Sequence, residues 1–443
     1  MELMMVRACQ RLLVRVASHA PLPPVTLQQT QPVTGWSCKR KGADRLRHIK
    51  ERTMAREISK RGAAASPFLA MDVMREANRL VDDGVSVMRL EVGQPSSAAP
   101  SRVQAAAQRA LTEDRLGYTD ALGVPALRAR IARHYQEQYG LDISPDRVVV
   151  TGGSSSAFIL AFTACFDAGA RVGLVTPGYP AYRTILTSLD LEPVSIPVGP
   201  ETNWVPTPEV LRNIEADTGS LDGLLIASPA NPTGTMLSDA QLSALTHDCK
   251  AHDRWFISDE IYHGLSYEGD ACSALSHDAD SIIINSFSKY YSMTGWRLGW
   301  MVLPERLLRP MECLAQNLFI SPPTLAQLAA LEAFDATDEL DAHVERYAAN
   351  REILLKGLRT AGIAHMAPAQ GAFYLYADVS AFTHDSMAFC TAMLHEAGVA
   401  ATPGLDFDTE RGHHFVRFSF AGATADIEEA VRRLQKWFAG LTK

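Results

Sequence analysis

Lys289 lies in the segment SFSKYYSMTGWRLGW, residues 286–300, and its setting differs from that of an ordinary solvated lysine. It follows the apolar run 282–284 and is flanked by two small hydroxyls and a Gly-containing turn. Desolvation disfavours an ammonium, so a lysine held there becomes a nucleophilic amine able to form a Schiff base with an aldehyde. Eight residues on, Arg297 offers a planar fork of donors suited to a phosphate, and Ser286 can add a hydroxyl.

A second anion-binding element is TGGSSSAF, residues 151–158, where a strand turns into a helix expected over 156–166. Backbone N–H groups and the dipole at such a start favour a phosphate, although the same composition serves a plain strand-to-helix turn. The segment matches neither GxGxxG nor GxxxxGK[ST], so the phosphate belongs to another kind of cofactor. Asp259 ends an apolar run, where a carboxylate is costly unless it is paired, and a cationic partner is expected; read alone, it is equally a helix cap. Tyr262 can bring a phenol to the same place, and Asn231, in NPTG, keeps a free amide because Pro232 forbids glycosylation. With Tyr179 as a stacking aromatic, these groups match the aldehyde, phosphate, ring nitrogen and ring face of pyridoxal phosphate.

Short β-branched runs alternating with longer helical patterns must position these residues, which predicts an α/β fold with a mainly parallel sheet. Five strands are expected at 147–151, 171–175, 223–226, 255–258 and 282–284, each running into a polar cluster. Ligands of open α/β sheets sit beyond the carboxyl ends of the strands, so the clusters should converge on one crevice. A helix over 341–361 connects to a smaller α+β unit with strands at 371–375 and 415–420 and a last helix over 425–438. The resulting division is an extension at 1–60, an arm and part of the small domain at 61–99, a large domain at 100–325 and a small domain at 326–443.

Composition narrows the function classes. The chain of 443 residues is 47% hydrophobic and 21% charged, which excludes a disordered or fibrous protein. Residues 1–53 carry ten Lys/Arg against three Asp/Glu, leaving 32 against 47 in the rest, and an acidic body argues against nucleic acid as a partner. Seven scattered cysteines without CxxC pairs suggest neither a disulfide framework nor a zinc site and fit a reducing compartment. Apolar runs such as AFILAF at Ala157 reach only about ten residues, short of a membrane span, so a soluble cytoplasmic protein is expected. No HExxH occurs, and the adjacent His413 and His414 should point to opposite faces of a strand, so no metal is expected.

The Arg-rich, acid-poor stretch 1–53 predicts little fixed structure. It reads either as a mitochondrial transit peptide, which would place the protein in the matrix, or as sequence upstream of a true start at Met54. Arg11 and Arg15 interrupt the only stretch that could form the core of a secretory signal.

The chain resembles the class I/II aminotransferases of the aspartate aminotransferase superfamily, fold type I, from about Pro67 to its end. The resemblance rests on an ordered series: GQP at Gly93, GYTDALGVPALR at Gly117, TGGSSSAF, TPGYPAY, SPANPTG, SDEIY, SFSKYYSMTGWRLGW, GAFY at Gly371 and VRFSFA at Val416. It implies pyridoxal 5'-phosphate as cofactor, with Lys289 as the Schiff-base lysine, Asp259 as partner of the pyridinium nitrogen and Tyr262 and Asn231 at the ring oxygen. Tyr179 would stack on the ring, and Ser154, Ser155, Ser286 and Arg297 would hold the phosphate. Tyr118 matches a tyrosine that reaches the phosphate of the neighbouring subunit, which implies a homodimer with shared sites. Arg417 would grip the substrate α-carboxylate opposite Gly93, a task suited to a bidentate fork.

One departure bears on specificity. An aspartate-specific bacterial subgroup carries a lysine after the Gly-Gly pair, where this chain has Ser154. A neutral or aromatic amino donor is therefore expected, without excluding aspartate, with 2-oxoglutarate as acceptor in a ping-pong cycle. The alternatives are another fold type I enzyme, such as a C–S β-lyase or a decarboxylase, or a regulator with an aminotransferase-like module. The regulator reading is weakened because residues 1–53 show no helix-turn-helix.

Overall fold

The computed structural model describes residues 58–441, all within the unit Ile58–Lys443. The expectations for residues 1–53, and nearly all of the 1–60 extension, lie outside the described residues. In chain order the strands are β1 (Met88–Arg89), β2 (Val148–Thr151), β3 (Arg171–Thr176), β4 (Glu192–Pro197), β5 (Gly223–Ala227), β6 (Trp255–Asp259), β7 (Ile282–Ser286) and β8 (Gly299–Val302). Four short ones follow: β9 (Tyr374–Asp378), β10 (Val399–Ala400), β11 (Thr402–Pro403) and β12 (Phe415–Ser419).

The main sheet has the order β2-β8-β7-β6-β5-β3-β4, with β8 antiparallel to both its neighbours and every other pair parallel. Both faces are covered, which explains why its inner strands read as unbroken apolar runs. Val148, Val150, Leu224, Ile226, Ile283 and Trp300 feed one core, while Val149, Leu225, Ile257, Ile284 and Met301 feed the other, alternating along each strand. β4 was not expected from the sequence. Its prolines, Pro193 and Pro197, are tolerated because it lies at the sheet edge, where a missing N–H costs no ladder bond.

A three-stranded antiparallel sheet, β11-β12-β9, and the parallel pair β1-β10 form the smaller body with the helices Thr337–Thr360 and Thr424–Leu441. Leu340 packs in the core of the main sheet and Leu354, Leu355 and Leu358 in that of the smaller one, so the core changes within the helix Thr337–Thr360. The strand expected at 371–375 begins three residues later. Ala372 adopts φ 57°, and the N–H groups of Gly371 and Ala372 bond to Gly234 O and Leu265 O, both at 2.8 Å, instead of joining a ladder. His413 and His414 also differ from expectation. They sit in the 3-10 turn Gly412–His414 with ring centroids 4.1 Å apart, not on opposite faces of a strand. No helix among the described residues is long and apolar enough to cross a membrane.

Candidate active site

The carboxyl ends of β2, β3, β5, β6 and β7 lead into Ser154, Tyr179, Asn231, Asp259 and Lys289, and all five line one cavity of about 210 Å³. Ser155, Tyr262 and Arg297 line it as well. The smaller sheet contributes Tyr374 from β9 and Arg417 from β12, and Phe68, Met71 and Gly93 close the remaining wall.

Lys289 Nζ donates to Gly93 O at 2.6 Å. Burial pulls its pKa down to about 8; Arg417 and Arg297 act in the same direction, and Asp259 opposes them. A fraction of the amine is therefore uncharged at neutral pH, and that fraction grows through pH 8. Asp259, 3% exposed, accepts from Tyr182 Oη and, at 3.1 Å, from Ile261 N. Burial raises its carboxyl to about 6 against the pull of these two bonds and of Lys289. No lysine or arginine forms an ion pair with it among the described residues, so a cation delivered from outside would stabilise the anion. The buried hydroxyls of Tyr262 and Tyr374 share a hydrogen bond of 2.8 Å, and burial raises both pKa values. Gly93 lies against this pair. A Cβ there would fall 2.0 Å from Tyr374 Oη, so a side chain at this position would displace the tyrosine.

At the other end of the cavity the helix Ser154–Cys165 starts two residues earlier than its sequence pattern suggests, and its first N–H groups have no side-chain cap. Gly153 reaches φ 89°, and a Cβ there would meet Arg297 Nη2 at 2.6 Å, which places the guanidinium at the helix start. Arg297 donates to Thr294 O at 3.0 Å and pairs with no carboxylate among the described residues. A helix N-terminus beside an unpaired guanidinium attracts an anion.

Arg417, 2% exposed, lies between the rings of Tyr374 and Phe407, 4.4 and 4.6 Å from their centroids. Its Nη1 donates to Asn231 Oδ1 at 2.9 Å, and its Nη2 donates to Glu91 O at 2.7 Å and to Thr402 Oγ1 at 3.2 Å. These partners are neutral, and Nε has none. A buried guanidinium whose hydrogen bonds go only to neutral groups, with the Asp406 carboxylate acting on it from beyond hydrogen-bond reach, is poised for a carboxylate.

The family model "Aminotransferase class I and II" matches residues 85–434. The chain belongs to that family. It is 50% identical over 379 residues to a valine–pyruvate aminotransferase of Mycobacterium tuberculosis, covering 85% of this chain and 97% of that one. The crystal structure of an aminotransferase from Mycobacterium tuberculosis superposes with a TM-score of 0.84 at 49% identity, covering 87% and 100% of the two chains. An aspartate aminotransferase from Thermus thermophilus with maleate gives a TM-score of 0.80 at 32% identity, covering 86% and 99%. The chain is thus an aminotransferase of fold type I, and the expected α/β architecture with a mainly parallel central sheet is present.

Two of the residues singled out from the aminotransferase sequence lie off the cavity. Ser286 is buried, its hydroxyl bonded to Leu298 O at 3.0 Å and 2.9 Å from that of Ser288, which does line the cavity. Tyr118 is 83% exposed. Sequence reasoning missed Tyr182, Tyr374, Ser288, Phe68 and Met71. Tyr374 was visible as the last residue of GAFY and Tyr182 as the last of TPGYPAY, but no local signal tied Tyr182 to Asp259, 77 residues away.

Proposed function

We propose that the enzyme holds pyridoxal 5'-phosphate in this cavity and moves an amino group from a neutral L-amino acid to a small 2-oxo acid. The observation that carries this reading is the charge of the wall, where Lys289, Arg297 and Arg417 face the single carboxylate of Asp259. A phosphate at Arg297 and a carboxylate at Arg417 would balance two of the cations, and a protonated ring nitrogen would balance Asp259. The other residues fit the same group: Ser154, Ser155 and Ser288 at the phosphate, with Ser286 acting through Ser288, Tyr179 at the ring face, and Asn231 and Tyr262 at the ring oxygen.

When bound, the cofactor supplies an aldehyde carbon to carry the amino group and a ring that withdraws electrons from the substrate α-carbon. Arg417 grips the substrate carboxylate and so presents the α-carbon to Lys289. With the cofactor held there, the neutral Nζ of Lys289 would take the α-proton as general base and give it up again as general acid. The negative charge of Asp259 would hold a proton on the ring nitrogen, and Tyr182, donating to that carboxylate, favours its ionised form.

Among the described residues no cation lines the cavity apart from Lys289, Arg297 and Arg417, and Phe68, Ala70, Met71, Val92 and Ile261 make the substrate side apolar. A side-chain carboxylate would find no partner there, which favours neutral donors. In a ping-pong cycle the acceptor meets the same wall. Pyruvate-like acids therefore fit better than 2-oxoglutarate, in line with the name of the Mycobacterium tuberculosis relative. Tyr118 and the exposed Leu318, Phe319 and Ile320 support a homodimer in which Tyr118 serves the partner's site, since Thr324 Oγ1 ties the two segments together by donating to Gly117 O at 2.6 Å. On this reading the protein resides in the cytoplasm, and the boundary between large and small domains falls inside the helix Thr337–Thr360 rather than at 325/326.

Protein saturated with the cofactor should be given valine, phenylalanine or aspartate with pyruvate or 2-oxoglutarate, and the new amino acid quantified. The neutral donors with pyruvate should be fastest. A faster aspartate/2-oxoglutarate pair would overturn the substrate assignment, and ammonia or carbon dioxide without a new amino acid would favour a lyase or decarboxylase. Borohydride reduction followed by peptide mass mapping should tag Lys289; a tag elsewhere sinks the site itself.

A further inference from the structure

A second cavity, of about 330 Å³, shares no residue with the first, yet its wall is built from the neighbours of the active-site residues. Tyr290 and Tyr291 directly follow Lys289, His263 follows Tyr262, and Asn285 precedes Ser286. Its floor is aromatic, formed by the buried Tyr291, Trp300 and Phe334, with Tyr139 beside them. At its mouth stand the exposed Asp270 and Asp341, neither of which forms a salt bridge among the described residues; Asp341 accepts only from Tyr290 Oη, at 2.7 Å.

The charge of this wall is opposite in sign to that of the active site. Among the described residues no lysine or arginine lines it. Arg130, whose guanidinium packs 4.5 Å from the Phe334 centroid, is already paired with Glu137 and Asp335. Both lining histidines are neutral: burial, aided by Arg130, holds His134 at about 4, and burial holds His263 at about 3. His263 Nε2 donates to Ser228 O at 3.0 Å, so its Nδ1 is the bare nitrogen that accepts from Tyr139 Oη at 2.7 Å. The hydroxyl of Tyr291, 5% exposed, and the amide nitrogen of Asn285 have no hydrogen-bond partner among the described residues.

An acidic mouth over aromatic faces repels carboxylates and phosphates and attracts an organic cation, whose charge gains from the carboxylates while its apolar body packs on the rings. We propose that this cavity is an effector site for a small organic ammonium ion with an apolar body, its charge at Asp270 and Asp341 and its body against Tyr291, Trp300 and Phe334. Occupancy bears on catalysis through two covalent neighbours of the chemistry: the Tyr290–Tyr291 pair next to Lys289, and His263, which holds the Ser228 carbonyl upstream of Asn231. Binding and catalysis are then thermodynamically linked.

Benzyltrimethylammonium is a suitable probe because its quaternary nitrogen cannot be transaminated. Calorimetric titration of the holoenzyme should show one site per chain, with benzoate binding at least about tenfold more weakly. The double variant Asp270→Asn/Asp341→Asn, at two exposed positions outside the active site, should lose about tenfold in probe affinity while keeping its basal rate. Saturating probe should change kcat/KM by about twofold or more in the parent and not in the double variant. Equal affinity for the two ions, unaltered affinity in the double variant, or simple competition between probe and amino donor would overturn the site. Binding with no effect on kcat/KM would overturn its role as an effector.

Discussion

Arg254 and Arg417 are both almost fully buried, 7% and 2% exposed, and their charges are satisfied in opposite ways. Arg254, just ahead of β6 and away from the cavity, donates Nη1 to Asp248 at 2.8 Å and Nη2 to Glu215, so its charge is cancelled within the chain. Arg417 meets only an amide, a carbonyl, a hydroxyl and two ring faces. Burying a charge costs several kcal/mol unless a counter-ion offsets it, so a protein that leaves one uncancelled holds it ready for an outside anion. The half-buried Lys289 and the exposed Arg297 likewise pair with no carboxylate among the described residues, and both line the same cavity. Buried cations with internal partners hold the fold together; those without mark where ligands bind.

Lys289→Ala should break the functional side of this contrast most severely. Turnover should fall by at least about 10⁴-fold, while the thermal midpoint of the cofactor-free protein stays level or rises, because a buried amine with a depressed pKa has been removed. Full activity in that variant would discard the mechanism. Arg254→Met tests the structural side: Asp248 and Glu215 lose their counter-ion, and denaturant titration should register about 3–5 kcal/mol lost, with kcat and KM per folded molecule unchanged. A loss below about 1 kcal/mol would erase the distinction. Arg417→Lys keeps the charge but not the fork, so kcat/KM should drop by about 10- to 100-fold at a constant thermal midpoint.

Tyr182→Phe is the finest probe. The Tyr182 hydroxyl stabilises the Asp259 anion, so its removal should move the carboxyl of the cofactor-free protein, already at about 6, further up and shift the acidic limb of cofactor binding to higher pH by about one unit, or about 1.4 kcal/mol. A carboxyl raised on folding favours the protonated native state, so the cofactor-free protein should lose the Asp259 contribution as pH rises from the unfolded value through about 6. In the variant that loss should extend to higher pH. An acidic limb that does not move would assign Tyr182 to packing alone.

Much of this arrangement was legible in the chain because it rests on local chemistry. A strand end is read from an apolar run meeting a polar cluster, so β5, β6 and β7 and the placement of Asn231, Asp259 and Lys289 beyond them follow from neighbours in sequence. Elements that depend on distant partners were not legible. β8 is antiparallel within a parallel sheet and lies hidden in the segment after Arg297, and the edge strand β4 carries prolines that argue against a strand. Ser154 reads as part of a turn ahead of a helix expected from 156, yet it begins the helix, which puts its N–H at the cavity end.

The residue types, their order and their period determined by themselves the α/β class, the strand ends that lead into the cavity and the singling out of Lys289, since each depends on contacts within a few residues. Which buried charges would be cancelled was decided only in three dimensions. Arg254 finds Glu215, 39 residues away, and Arg417 finds Asn231 at 186, so desolvation and pairing belong to the packed neighbourhood. The same holds for the two cavities, opposite in charge on either side of one lysine segment, because a cavity's charge is the sum over walls that no stretch of sequence contains.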